Sequence, residues 1–132
     1  MTDSKQNQRH SALDMTGAEF RDIGHALVDE IAAFYDSLPD RRLTRDVGTE
    51  EIRRRLGTAE LPEDGADVAS LFSDVTPLLF DYSLHNGHPK FLGYITSSAA
   101  PLGALADLLA SAVNANVGKW DLSPIASEIE SQ

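Results

Sequence analysis

The chain contains no cysteine, so it has no disulfide framework, no thiol nucleophile and no thiolate metal site. Positive charge is scarce. Eleven Lys and Arg stand against 21 Asp and Glu, and the formal net charge of −10 works against binding nucleic acid, because phosphate is repelled. Every Arg lies between Arg9 and Arg55, mostly among acids, which reads as a solvated mixed-charge face. Long apolar runs are absent as well. No window approaches the roughly 18 apolar residues of a spanning helix, and the N-terminus has no apolar signal core, so no membrane partner is expected and the cytoplasm is the expected compartment. No Gly-rich phosphate loop and no Gly-x-Ser-x-Gly turn occurs.

What remains is 42% apolar in 132 residues, enough for one domain with a modest core. Residues 1–15 are polar and aperiodic and are expected to form a disordered tail. Thr16 and Glu19 have capping-box spacing, and Phe20, Ile23, Leu27, Ile31, Phe34 and Leu38 then recur every three or four residues. This predicts a long amphipathic helix that Pro39 stops. A short helix follows, with Thr49 as its expected cap, Glu50 and Glu51 in its first turn, Arg53, Arg54 and Arg55 in its last, and Gly57 as a left-handed terminus. After a loop over Leu61 to Asp64, a third helix is expected from near Asp64. Val68, Leu71, Phe72, Val75, Leu78, Leu79 and Tyr82 lie on its apolar face, and Pro77 predicts a kink or break near Ser73.

His85-Asn86-Gly87-His88-Pro89 is a turn cluster in which two His stand three apart. With no third ligand nearby, no metal site is assigned to them, and a small metal-binding helical protein is an alternative resting on that pair alone. Phe91 to Ile95 is short, aromatic and β-branched and is expected to be extended. Pro101 restarts a helix expected to run to about Asn116. Its stripe is Leu102, Leu105, Leu109, Ala112 and Val113, but Ala104, Ala106, Leu108 and Ala110 make it apolar nearly all round. The other helices offer too little apolar surface to cover it, so a missing partner is expected. Ser123-Pro124 is a strong helix start, with Glu128 in its early turns, yet the sequence stops at Gln132. Isolated helices under about 12 residues are marginal, which predicts a longer parent chain.

His88-Pro89, Phe91, Gly93-Tyr94, Ser97-Ser98, Leu105-Ala106-Asp107, Trp120 and Ser123-Pro124 with Glu128 and Glu130 together resemble the N-terminal region of the group II pyridoxal-phosphate-dependent amino-acid decarboxylases. These include the aromatic-L-amino-acid and tyrosine decarboxylases. The helix from Glu19 to Leu38 is also similar to their first helix, and the resemblance covers roughly Thr16 to Gln132. It implies a mainly α fold, the N-terminal helical arm of an aspartate-aminotransferase-type enzyme whose cofactor domain is missing here. It implies a homodimer in which the arm packs across the partner and covers the helix from Leu102. It implies pyridoxal phosphate as cofactor and an amino acid as substrate in the full-length enzyme.

The family's covalent lysine lies in a Ser-x-His-Lys type motif. The lysines here, Lys5, Lys90 and Lys119, lack that context, so no catalytic or cofactor-binding residue is assigned and the segment is expected neither to hold the cofactor nor to react alone. Two substrate-binding residues carry over by position: Tyr94, at an aromatic position in the pocket wall, and Ser97, at a position commonly Thr on the site's edge. Their plain alternatives are a core aromatic and a helix-capping turn. Asn116 and Gly118 stand where aromatic-amino-acid members carry bulkier apolar residues, which leaves the substrate side chain open. The competing class is a free-standing helical interaction module that binds another chain.

Overall fold

The computed structural model describes residues 13–57, 63 and 65–132, and among these it is helical, with no β-strand. The chain divides into two compact units, Met1–Leu92 and Gly93–Gln132. Most of the expected tail, and most of the loop over Leu61 to Asp64, lie outside the described residues.

The first unit is built on α1 (Gly17–Ser37). Its start is the expected capping box. The Glu19 amide donates to Thr16 Oγ1 at 3.2 Å, and the Thr16 amide donates to the Glu19 carboxylate at 2.8 Å. The Thr16 hydroxyl also donates to that carboxylate at 2.7 Å; this bond first, and the one from the Thr16 amide second, favour the ionised form and hold the Glu19 carboxyl below its ordinary value. Of the expected stripe, Ile23, Leu27, Ile31, Phe34 and Leu38 are half-buried and Phe20, at its start, is exposed; Asp22, Asp29, Glu30 and Asp36 are exposed. Pro39 ends α1 as expected, because the chain tightens into a single 3₁₀ turn at Leu38–Asp40.

α2 (Thr49–Leu56) begins at its expected cap residue, one position earlier than expected. Gly48 occupies the capping position and Thr49 is already helical, so no hydroxyl caps this helix. Gly57 ends it at φ 74, a backbone angle that only glycine adopts without strain. The Arg run pairs within the helix: Arg53 with Glu50 at 3.2 Å, and Arg54 and Arg55 with Glu51. These exposed pairs each contribute a few tenths of a kcal/mol at most.

α3 (Val68–Tyr82) differs from its expected form in three ways. Its cap is Asp67, whose carboxylate accepts from the Ser70 amide at 2.8 Å. It continues through Pro77 without a break. The third difference is the face that packs. Thr76 is buried and Phe80 half-buried; of the expected stripe Val68, Leu78 and Tyr82 are half-buried, while Leu71, Phe72, Val75 and Leu79 are exposed. α3 is apolar around most of its circumference, so periodicity cannot choose one face; the partner helix chooses.

The contact between α1 and α3 centres on Phe34. Its ring stacks on Phe80 with centroids 4.4 Å apart and planes 13° from parallel, and the His85 ring meets it edge-on at 5.3 Å. The Arg41 guanidinium lies 5.0 Å from the same ring and reaches Ser37 Oγ, the Phe80 carbonyl and Asp81. No apolar side chain among the described residues is buried. The unit is therefore held by half-buried stripes and this aromatic junction.

The second unit contains α4 (Pro101–Val113), a 3₁₀ turn at Trp120–Leu122 and α5 (Pro124–Ser131). α4 stops three residues before its expected end, because Asn114 turns left-handed at φ 47. α5 starts at Pro124 as expected, but the Ser123 hydroxyl makes no capping bond. Trp120 Nε1 donates instead to the Glu128 carboxylate at 2.7 Å and ties the 3₁₀ turn to α5.

Phe34→Ala should cost roughly 2 kcal/mol of stability, less than a fully buried Phe because the ring is only half-buried. Urea unfolding of the variant against the parent chain measures it. A loss under about 0.5 kcal/mol would show that the stack is not what joins α1 to α3.

Candidate functional site

Tyr94 and Ser97 both fall in residues 93–100, which lead into α4 without helix or strand. The expected extended run ends early, because Tyr94 itself has φ 57. A bulky aromatic in the left-handed region is a strained choice, and such outliers concentrate where a backbone is shaped for a task. Tyr94 is 84% exposed. Ser97 is exposed too, and it does not cap α4: Ala100 holds the cap position, and no side chain bonds the first turn. Within the same unit the apolar side of α4 is open, with Leu102 78% exposed and Leu105, Leu108, Leu109 and Val113 also exposed.

The His pair has a structural role. His88 is buried, its Nδ1 accepts the Lys90 amide at 3.0 Å, and its Nε2 lies 3.1 Å from the Arg41 carbonyl. An acceptor at Nδ1 and a carbonyl at Nε2 together assign the neutral tautomer protonated at Nε2. Both ring nitrogens are thus spent on tying residues 85–91 to the turn after α1, which removes the lone pair that a metal would need. His85 is 6% exposed and its amide donates to the Leu43 carbonyl at 3.0 Å. Burial is the main cause that pushes its imidazole below the ordinary value; the charge of Arg41 adds to this, and Asp81 opposes it.

No protein-family model matches the chain. Individual proteins do. It is 34% identical over 122 residues to a tyrosine decarboxylase of Oryza sativa subsp. japonica, covering 91% of this chain and 23% of that protein. It is 28% identical over 118 residues to an aromatic-L-amino-acid decarboxylase of Bacillus atrophaeus, covering 89% and 24%. It is 29% identical over 116 residues to a histidine decarboxylase of Homo sapiens, covering 88% and 17%. The chain is homologous to the aromatic-amino-acid, tyrosine and histidine decarboxylases. It spans about a quarter or less of the length of these relatives. A helical segment, with no sheet among the described residues, is consistent with an N-terminal portion of such enzymes. No helix among the described residues is long and apolar enough to cross a membrane.

The His85 environment predicts a pH dependence of stability. Its folded-state value lies below the unfolded value of about 6.5, so the unfolded state takes the proton more readily. This contribution is in place above about pH 6.5 and is lost as pH falls below it. Urea midpoints on the two sides of that pH should drop less in His85→Gln than in the parent; equal drops would mean that His85 is not the group responsible.

Proposed function

We propose that this chain is the N-terminal dimerisation and substrate-pocket segment of a pyridoxal-phosphate-dependent amino-acid decarboxylase, a cytoplasmic carboxy-lyase acting as a homodimer. The observation that carries the reading is similarity across about nine-tenths of this chain to a small share of several decarboxylases. Residues 16–132 then form the helical arm, joined to a cofactor domain of the aspartate-aminotransferase type. The exposed Leu face of α4 supports the dimeric part, since an apolar stripe of that size calls for a cover. The same face also suits a free-standing helical module that binds another chain, and the kinetic test below separates the two readings.

In this reading neither Lys90 nor Lys119 is the cofactor lysine, since neither stands in a Ser-x-His-Lys context. The Lys119 ammonium is 2.5 Å from the Asp121 carboxylate, and Lys90 stands exposed beside the His88 turn. In this reading pyridoxal phosphate supplies the electron sink for loss of CO2 and is held by residues outside the segment. Tyr94 and Ser97 hold the amino-acid substrate at the pocket edge. The Ser97 hydroxyl, not spent on capping α4, is available to a carboxylate, and the Tyr94 ring, raised by its positive φ, forms wall. The carboxylate must be oriented for its bond to break, so a small positional error there slows the chemical step.

Two outcomes are expected. Incubated with pyridoxal phosphate, the 132-residue chain should show no decarboxylation and no stoichiometric borohydride-trapped adduct. A full-occupancy adduct on Lys90 or Lys119 would overturn the non-catalytic assignment.

In an enzyme that joins this segment to a cofactor domain, Ser97→Ala and Tyr94→Ala should raise KM or lower kcat about tenfold with the cofactor absorbance unchanged. Normal kinetics in both variants would return the segment to the interaction-module reading.

A further inference from the structure

We propose that the cleft formed by the turn after α1 and the end of α3 binds a phosphate-type oxyanion, either inorganic phosphate or a small phosphate monoester. The cleft measures about 280 Å³ and is lined by Arg41, Arg42, Arg45, Phe80, Asp81 and His85, all within the first unit. Three arginines line it, in a chain whose net charge is −10.

The charge there is not balanced from within. On α2, every Arg has a Glu one turn away. In the cleft, Asp81 serves two arginines: Oδ1 takes Arg41 at 3.3 Å and Oδ2 takes Arg45 at 2.8 Å. Both of its oxygens are engaged, and Arg42 has no ion pair among the described residues. Arg45 spends a single N–H on Asp81, and the second terminal nitrogen of Arg41 has no hydrogen-bond partner among the described residues. A guanidinium carries five donors in a planar fork suited to oxyanions, so the surplus of donors over acceptors is large.

A second, independent feature points the same way. His85 is more than nine-tenths buried and lines the cleft, yet neither of its ring nitrogens is hydrogen-bonded by a described residue. It offers one further donor to an occupant. A doubly charged tetrahedral group uses several donors at once and offsets two cationic charges, whereas a single carboxylate would leave most of them unspent. The cleft is also pre-formed. Arg41 is held by Ser37, the Phe80 carbonyl and the Phe34 ring, and Arg45 lies over Tyr82 at 5.0 Å, so an arriving anion need not order these chains.

The test is a nuclear magnetic resonance titration of the full chain with inorganic phosphate at constant ionic strength, following the His85 ring and the arginine Nε–H signals. Saturable shifts confined to the cleft are expected. Arg42→Gln and Arg45→Gln should each weaken binding about tenfold or more, the effect of one lost charge-assisted hydrogen bond. Arg53→Gln, on α2, should leave it unchanged. A parallel titration with glycerol phosphate assigns the source: tighter binding of the ester means that the cleft reads more than the oxyanion. Non-saturating shifts, or equal shifts with chloride at matched ionic strength, overturn the proposal. Should Arg45→Gln not fold, Arg42→Gln decides, because that side chain is exposed and holds no ion pair among the described residues; a parent-like titration of that variant also overturns the proposal.

Discussion

Phe34 is the point at which α1, the turn after it and α3 meet, and the first unit depends on it. Its ring takes Phe80 on a face, His85 on an edge and the Arg41 guanidinium nearby. Arg41 could not hold this place without α3, whose terminal carbonyl at Phe80 and side chain at Asp81 both attract a cation. His88 then anchors the next turn through the Arg41 carbonyl. Aromatic stacking, a guanidinium and a neutral imidazole thus do together what a buried aliphatic core does in most domains of this length.

That arrangement leaves much apolar surface uncovered. α3 exposes Leu71, Phe72, Val75 and Leu79, and α4 exposes Leu102, Leu105, Leu109 and Val113. Single exposed leucines are ordinary, but helical stripes of them mark surfaces built to be covered. Under the proposed reading as an arm of a longer enzyme, these stripes are the faces that other protein covers.

Local chemistry was legible wherever a residue acts on its neighbours in the chain. The Thr16–Glu19 box, the stop at Pro39, Gly57 and the starts at Pro101 and Pro124 involve groups a few bonds apart, and geometry leaves few alternatives. The stripe of α1 was also legible, because a polar face stands opposite it. Cap identity was less secure. Gly48, Asp67 and Ala100 hold cap positions, and the neighbouring hydroxyls of Thr49 and Ser97 do not, since a shift of one or a few residues turns a cap into a first helical residue or a loop.

The sequence by itself determined the helical class, the order of the elements, the exclusion of thiol chemistry and the resemblance to the decarboxylases, because composition, periodicity and motif register are properties of the chain alone. Tertiary structure decided the rest. It chose the Thr76–Phe80 face of α3 over the Leu71–Leu79 stripe, since a helix apolar on most sides is oriented only by its neighbour. It turned the His pair from a possible ligand set into an anchor, because the Arg41 carbonyl that occupies His88 is 47 residues away in sequence. It gathered Arg41, Arg42, Arg45 and His85 around one cleft, a convergence that no local pattern encodes because it depends on where α3 ends against α1.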